Sequence, residues 1–405
     1  MSNPRRMLPV IVVISGLGVM SFSIVAPALP DLATALDVSR GSIGLVQGAV
    51  ATPGIVLAVV IGYLADRYGR RQVILASLII FGVAGTACFF ARDFWLLVGL
   101  RAVQGMGTSG LLSLGAVIIG DAFEGPERQW AIGIEFAGIT GMTLIAPVLG
   151  GALAEVSAFL PFLVFALALP MIPFIRILPG KPEGTVEAPW RHLGDMVSEM
   201  RTSGRFVSFV GLLPFSFIVM LCFVGFGFTT TPLFLERVFE VGPSGRGFIQ
   251  ATASVGSSIA AISSARVVRS LGRTTMLTAA IALSAVGFAV VGIAPGLPIV
   301  ALGLFLFGLG IGSVFPVVQV FLTEAASGTY RGAAIGTWVS SIRTGQTVGP
   351  VIGTRFADSL GERETFGIGA AILAIAALVW IPIRAMAESR SRTRKGRPSG
   401  TASRR

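Results

Sequence analysis

Twelve mostly apolar stretches follow one another along this 405-residue chain, at about 8–30, 42–64, 73–91, 94–120, 130–153, 158–178, 206–235, 246–267, 275–294, 297–322, 332–354 and 366–386. A helix rises ~1.5 Å per residue, so ~20 apolar residues reach across the ~30 Å hydrocarbon core of a bilayer. Inside that core every backbone donor and acceptor must find a partner within the protein, and a helix meets that demand segment by segment. The chain therefore reads as an all-α membrane protein of twelve transmembrane helices. Charged residues make up 13% of it, about half the usage of soluble domains, which excludes an ordinary water-soluble fold. The first stretch, Leu8 to Leu29, is long enough to span rather than to be clipped as a signal peptide.

One connection stands apart. Residues 179–205 are polar, proline-punctuated at first and then amphipathic. They divide the chain into a first six-span bundle (1–178), a cytoplasmic linker (179–205), a second six-span bundle (206–386) and a basic tail (387–405). The halves align on a constant offset of 203 residues: Gln47 on Gln250, Gly69 on Gly272, Arg70 on Arg273, Gly105 on Gly308, Arg128 on Arg331, Pro147 on Pro350. Arginine and proline matches in order and without a gap are hard to obtain by chance. The expected architecture is two pseudo-symmetric six-helix bundles, and repeats of that kind in membranes enclose a substrate pathway.

The net charge of +11 has a membrane explanation. With the N-terminus inside, 23 of the 31 Lys and Arg residues fall on the inner side, six on the outer, and Arg101 and Arg343 within spans. Basic residues collect on the cytoplasmic side, which places both termini there and leaves no call for nucleic acid. The basic tail suits anionic lipid. An arginine-rich, lysine-poor composition fits a GC-rich bacterial source, so a bacterial cell membrane is the expected location. Cys88 and Cys222 both lie in apolar stretches, so no disulfide framework is expected. The one histidine, His192, sits in the linker, so neither a metal site nor a catalytic triad is expected in the membrane. No phosphate loop occurs, which argues against ATP hydrolysis. No cofactor is expected. The expected partners are a small-molecule substrate, a proton and membrane lipids, with a functional monomer.

Polar residues inside the spans carry the chemistry. GYLADRYGRR, residues 62–71, closes the second span. Gly62 lets another helix approach closely, and Asp66 can face the positive end of a neighbouring helix. Arg70 can pair with Asp66 or with Asp121 at the end of span four. Arg101 opens RAVQGMG in that span. A guanidinium at the bilayer centre costs at least ~2.5 kcal/mol, so Arg101 must face protein or water. It reads either as a sensor of proton release or substrate charge, or as a brace bonded to backbone carbonyls. Asp31, beyond Pro27 and Pro30, is the nearest acid by sequence. GMTLIAPVLGG, residues 141–151, ends span five. Pro147 bends the helix, while Gly141, Gly150 and Gly151 permit tight contact with the opposite half; Gly349, Pro350 and Gly353 form the symmetric copy. Glu135 is the acid well inside a span. A carboxyl out of water favours its neutral form, which suits a proton carrier; the alternative is a solvated vestibule group. Arg343, in the repeat-related span, is its expected counterpart across the central cavity.

The first pattern matches in full the G-x-L-A-D-R-x-G-R-[RK] signature of the major facilitator superfamily, which the chain resembles from about Leu8 to Ala387. RAVQGMG resembles the family's R-x-x-Q-G-x-G motif. The resemblance implies the major facilitator fold and a cytoplasmic latch in the outward-facing state, with Asp66 near the start of span eleven. Arg269 stands at the aspartate position of the second-half copy, so that latch is confined to the first half. The span-five pattern resembles the drug-exporting antiporter branch, with Ala146 in place of a glycine. The implied activity is no enzyme's: proton-coupled efflux of small, largely apolar compounds by alternating access. The alternative is a proton-coupled importer of a small anionic metabolite held by Arg101 and Arg343. A receptor or membrane enzyme is disfavoured, because no polar catalytic constellation or sizeable soluble domain is present.

Overall fold

The computed structural model describes residues 4–180, 193–202, 206–325 and 331–395, nearly all of them helical. The spans are α1 Arg5–Ala35, α2 Arg40–Tyr68, α3 Arg70–Phe90, α4 Phe94–Ala122, α5 Gly125–Val156 and α6 Leu160–Ile177. They continue with α7 Phe209–Phe239, α8 Pro243–Leu271, α9 Arg273–Gly292, α10 Leu297–Ala325, α11 Arg331–Leu360 and α12 Glu362–Lys395. The last helix runs past residue 387, where the sequence placed the start of the tail. Nothing between Ala385 and Lys395 is a glycine or proline that would stop it. The amphipathic part of the linker forms the helix Leu193–Thr202; His192 lies outside the described residues.

Each bundle has its own apolar core. One cluster draws on α1 to α6 with Leu233 as its one outsider, and the other on the linker helix and α7 onward, with Phe22, Val50 and Ala51 reaching in from the first bundle. The repeat is visible as contact geometry. A Cβ on Gly105 would strike the Val50 carbonyl, and one on Gly308 would strike the carbonyl of Ala253, the repeat mate of Val50. Gly107 likewise lies on Ser77 and Gly310 on Ala280. The Gln47 amide donates to the Phe22 carbonyl at 2.5 Å, and the Gln250 amide to the Phe228 carbonyl at 2.9 Å.

Among the described residues, ten helices are long and apolar enough to cross a membrane on hydropathy alone. The other two spans, α8 and α11, are rich in serine, threonine and glycine, and each turns part of its surface to the facing bundle, while Phe248, Ile259 and Ile262 of α8 point outward. The two spans pack against α5 and α2 across the bundle interface. Ser254 Oγ donates to the Thr143 carbonyl at 3.0 Å, and Ser340 Oγ to the Ile55 carbonyl at 2.7 Å. These seams are tightest at the end of the molecule that carries Asp31. There a Cβ on Gly44 would meet the Pro350 carbonyl and one on Gly247 the Pro147 carbonyl, again one offset apart. Gly151 rests on Pro243 and Ser244, and Thr354 Oγ1 donates to the Gly41 carbonyl at 2.9 Å.

A side chain at Gly247 must push two backbones apart, and overpacking of this kind costs ~1–3 kcal/mol. Gly247→Val should therefore lower the melting temperature in detergent. Gly99→Ala, at a glycine with nothing within 4 Å of its Cβ position, should leave it nearly unchanged. Equal midpoints for the two variants would contradict the packing described.

Candidate transport site

A cavity of about 350 Å³ lies between the bundles, within the ~300–1,000 Å³ range of small-molecule sites. Its first-bundle wall includes Phe22 of α1 and Thr140 and Thr143 of α5. Its second-bundle wall includes Phe223 and Phe228 of α7, Ser254 and Ser258 of α8, and Arg343 and Gln346 of α11. A larger depression of about 500 Å³ runs over α2, α3 and α4, lined by residues such as Leu57, Ile61 and Met106 with no charged side chain. It belongs to one bundle alone and lies away from the interface.

Arg101 is fully buried and lies away from this cavity. Its Nε donates to the Val46 carbonyl (3.1 Å), one Nη to Gln104 Oε1 (2.7 Å), and the other to the Ser21 carbonyl (2.8 Å) and Gln47 Oε1 (3.3 Å). The Phe162 and Phe165 rings stand 5.9 Å from its carbon centre. The guanidinium thus ties α1, α2 and α4 together through neutral acceptors. The repeat explains a neighbouring anomaly. Leu304 occupies the Arg101 position in the second half, and there the buried Oε1 of Gln250 is left without a donor.

The sequence offered Asp31 as the nearest acid to Arg101, but Asp31 is engaged elsewhere. It pairs with Arg246 of α8 at 2.9 Å, across the bundle interface. Arg246 is only 2% exposed, and its Nε and Nη1 have no acceptor. Arg40 meets Glu236 at 2.7 Å, and Glu155 Oε2 accepts the Ser244 amide at the N-terminal turn of α8 at 3.1 Å. Both also cross between bundles at this end. At the opposite end Arg70 is shared by Asp66, at 3.2 Å, and Asp121, so it takes both expected partners. Arg128 donates to the Gly120 and Phe123 carbonyls at the C-terminal turn of α4, where a cation suits the helix dipole. These contacts stay within the first bundle. The side chains that open α11, where the resemblance put Asp66, lie outside the described residues.

Glu135 and Arg343 do not form the pair expected of them. Glu135, 3% exposed, accepts from Ser15 Oγ at 2.7 Å and lies over Gly115, in the seam of α1, α4 and α5. Arg343 donates to Gln346 Oε1 at 2.9 Å and fills the space left by Gly54 of α2. Each side chain goes where a glycine makes room, and the two glycines lie on different helices. The glycines also differ in use. Gly150, Gly151, Gly349 and Gly353 press on backbone or side-chain atoms of neighbouring helices, whereas Gly62 and Gly141 meet nothing within 4 Å. Among the described residues the expected close approach at Gly62 is absent, although α11 reaches α2 one turn earlier, where Gly336 lies on Val59. Pro147 and Pro350 sit inside α5 and α11, their own carbonyls turned to Gly247 and Gly44.

Sequence comparison matches residues 11–264 and 215–405 to the Major Facilitator Superfamily. The chain belongs to this superfamily. The bacillibactin exporter of Bacillus subtilis is 31% identical over 148 residues, which is 35% of this chain and 37% of that protein. Multidrug resistance protein D of Escherichia coli is 31% identical over 148 residues, 36% and 38% of the two chains. The aligned part thus spans under two fifths of either relative. Among solved structures, a bacterial homologue of the human lysosomal transporter spinster, in an inward-facing and unoccupied conformation, superposes with a TM-score of 0.71. It is 18% identical over 99% of this chain and all of that one, a likeness of fold.

For this superfamily member, reading the sequence by motif missed four groups. Arg246, Glu155 and Ser15 lie in no motif. The fourth is a π-wound segment in α7, Leu221–Thr230, whose three consecutive threonines were its one visible sign. Arg101→Lys tests the brace. An ammonium cannot serve carbonyls on two helices and two glutamines at once, and each buried carbonyl left unpaired costs ~1–3 kcal/mol. Arg101→Lys should fold with a clearly lower melting temperature in detergent. An unchanged midpoint would remove Arg101 from the packing of α1, α2 and α4.

Proposed function

We propose that the chain is a proton-coupled exporter of small, largely apolar compounds, acting as a monomer in a bacterial cell membrane with both termini in the cytoplasm. The observation that carries this reading is the cavity between two bundles that are bonded to each other at the Asp31 end. With the Asp66 end inside, as the arginine distribution suggests, the protein rests in an inward-facing state ready to load from the cytoplasm. The relatives named for bacillibactin export and multidrug resistance support the outward direction. Alternating access then requires the Asp31–Arg246 and Arg40–Glu236 pairs to part while the Gly62 face closes. Arg70, held by Asp66 and Asp121, is poised to lose or gain a partner in that exchange.

Glu135 is the proton carrier in this reading. It sits in the seam of α1, α4 and α5, inside the first bundle, with a hydroxyl and no cation as its partner, so a proton can join or leave it without breaking an ion pair. Arg101, whose bonds are all to neutral groups within the first bundle, is a brace that keeps α1, α2 and α4 together as a rigid body.

The test uses proteoliposomes with an imposed pH gradient and labelled apolar compounds, with flux followed in both directions. Wild-type protein should drive efflux with the gradient. Glu135→Gln should still bind the transported compound but fail to accumulate it against a gradient. Full gradient-driven flux in Glu135→Gln would refute the carrier, and gradient-driven uptake by the wild type would refute export.

A further inference from the structure

Arg343 is the one charged side chain among the described residues that line the central cavity. It is 7% exposed, makes no ion pair, and gives one hydrogen bond, from Nη1 to Gln346 Oε1. Its Nε and Nη2 have no acceptor within the described protein. Unlike the orphaned nitrogens of Arg246, they are not sealed from the cavity. Gln346 is itself held, its amide against the Met220 sulfur at 3.5 Å. A desolvated cation with two free donors in a fixed fork is a receptor for an oxyanion. Among the described lining residues there is no carboxylate to receive a cation.

The opposite part of the same wall is built by the π segment of α7. In an α-helix, residues five apart point well away from each other. In a π-helix the bonds run from i to i+5, and the wider winding brings such residues nearer to one face. Thr229, Thr230 and Thr231 each donate their hydroxyl to the carbonyl five residues earlier, at 2.7, 3.1 and 3.2 Å. The winding brings Phe223 and Phe228 to the cavity together, as an edge-to-face pair with centroids 5.0 Å apart. Gly225 and Gly349 abut backbone to backbone, so the helix bearing the rings and the helix bearing Arg343 are locked in register.

We propose that the cavity binds an organic anion with a planar ring, its carboxylate or other oxyanion on Arg343 beside Gln346 and its ring against Phe223 and Phe228. This deepens the transport reading, because it names the substrate class of the same cavity. An amphipathic anion of this kind remains a largely apolar compound.

The probe is tritiated 2-naphthoate, bound to the purified full-length protein in detergent. It is competed by neutral 2-naphthalenemethanol and by cationic 2-naphthylmethylammonium. A hydrogen-bonded charge contributes enough for about tenfold or more, so naphthoate should bind at least that much tighter than the alcohol, and the ammonium weakest. Arg343→Gln should abolish this preference and leave the alcohol's affinity nearly unchanged. Phe228→Leu should weaken acid and alcohol alike by about fivefold while keeping the preference. The charge series on wild-type protein needs no variant to fold. Ammonium competing as well as naphthoate, or an undiminished preference in Arg343→Gln, would overturn the proposal. Naphthoate bound with the stated preference but moved by no gradient would sink the transport reading and leave the anion site standing. Gradient-driven export of cations without naphthoate binding would do the reverse.

Discussion

Two seams of bare backbone hold this molecule in its present state. Where α2 meets α11 and α5 meets α8, glycines lie against carbonyls of the facing helix, Gly44 on Pro350 and Gly247 on Pro147. Lipid tails are as apolar as any side chain, so bundles in a membrane gain little from burying grease against each other. They associate through close packing and hydrogen bonds instead. The rest follows from this constraint. α8 and α11 can be polar because each packs part of its surface on the facing bundle, and the Thr143 carbonyl freed by Pro147 is met across the seam by Ser254.

Electrostatics selects that end. Asp31 with Arg246, Arg40 with Glu236, and Glu155 with the start of α8 all join the bundles there. At the other end the charge contacts of Asp66, Arg70, Asp121 and Arg128 serve the first bundle alone. The glycines agree with the charges, since those at the bonded end are in contact while Gly62 is bare. Gly69 and Gly272 have a different use. With φ of +102° and +77° they turn the chain from α2 into α3 and from α8 into α9, a conformation only glycine adopts freely.

Much of this was legible in the sequence because membrane folding leaves few choices. Apolar length marked the spans, and the constant offset carried the pseudo-symmetry down to single contacts such as Gly105 on Val50 and Gly308 on Ala253. Arg70 with Asp66 and Asp121 was readable because the partners lie one turn apart or at a shared helix end. What failed was pairing across the interface. Asp31 and Arg246 are 215 residues apart in unrelated positions of the repeat, and nothing local joins them. Glu135 and Arg343 were matched by symmetry, yet each is steered by a glycine on a third helix. The π winding of α7 was hidden because an apolar run with threonines fits an α-helix equally well, and only its contacts with α11 decide between them.

The central claim is that the bundles are bonded at the Asp31 end, that the charge contacts of Asp66, Arg70 and Asp121 stay within one bundle, and that the two ends exchange. Spin labels at exposed positions measure both at once, with one pair at Ser39 and Ser359 beside the α2–α11 seam. The other pair, at Gln129 and Ser270, reports on the opposite end of the α5–α8 pair. In the background of Asp31→Asn, which leaves Arg246 buried without a counter-charge, the account predicts that the first distance lengthens and the second shortens. Two distances that stay fixed, or that lengthen together, would contradict it.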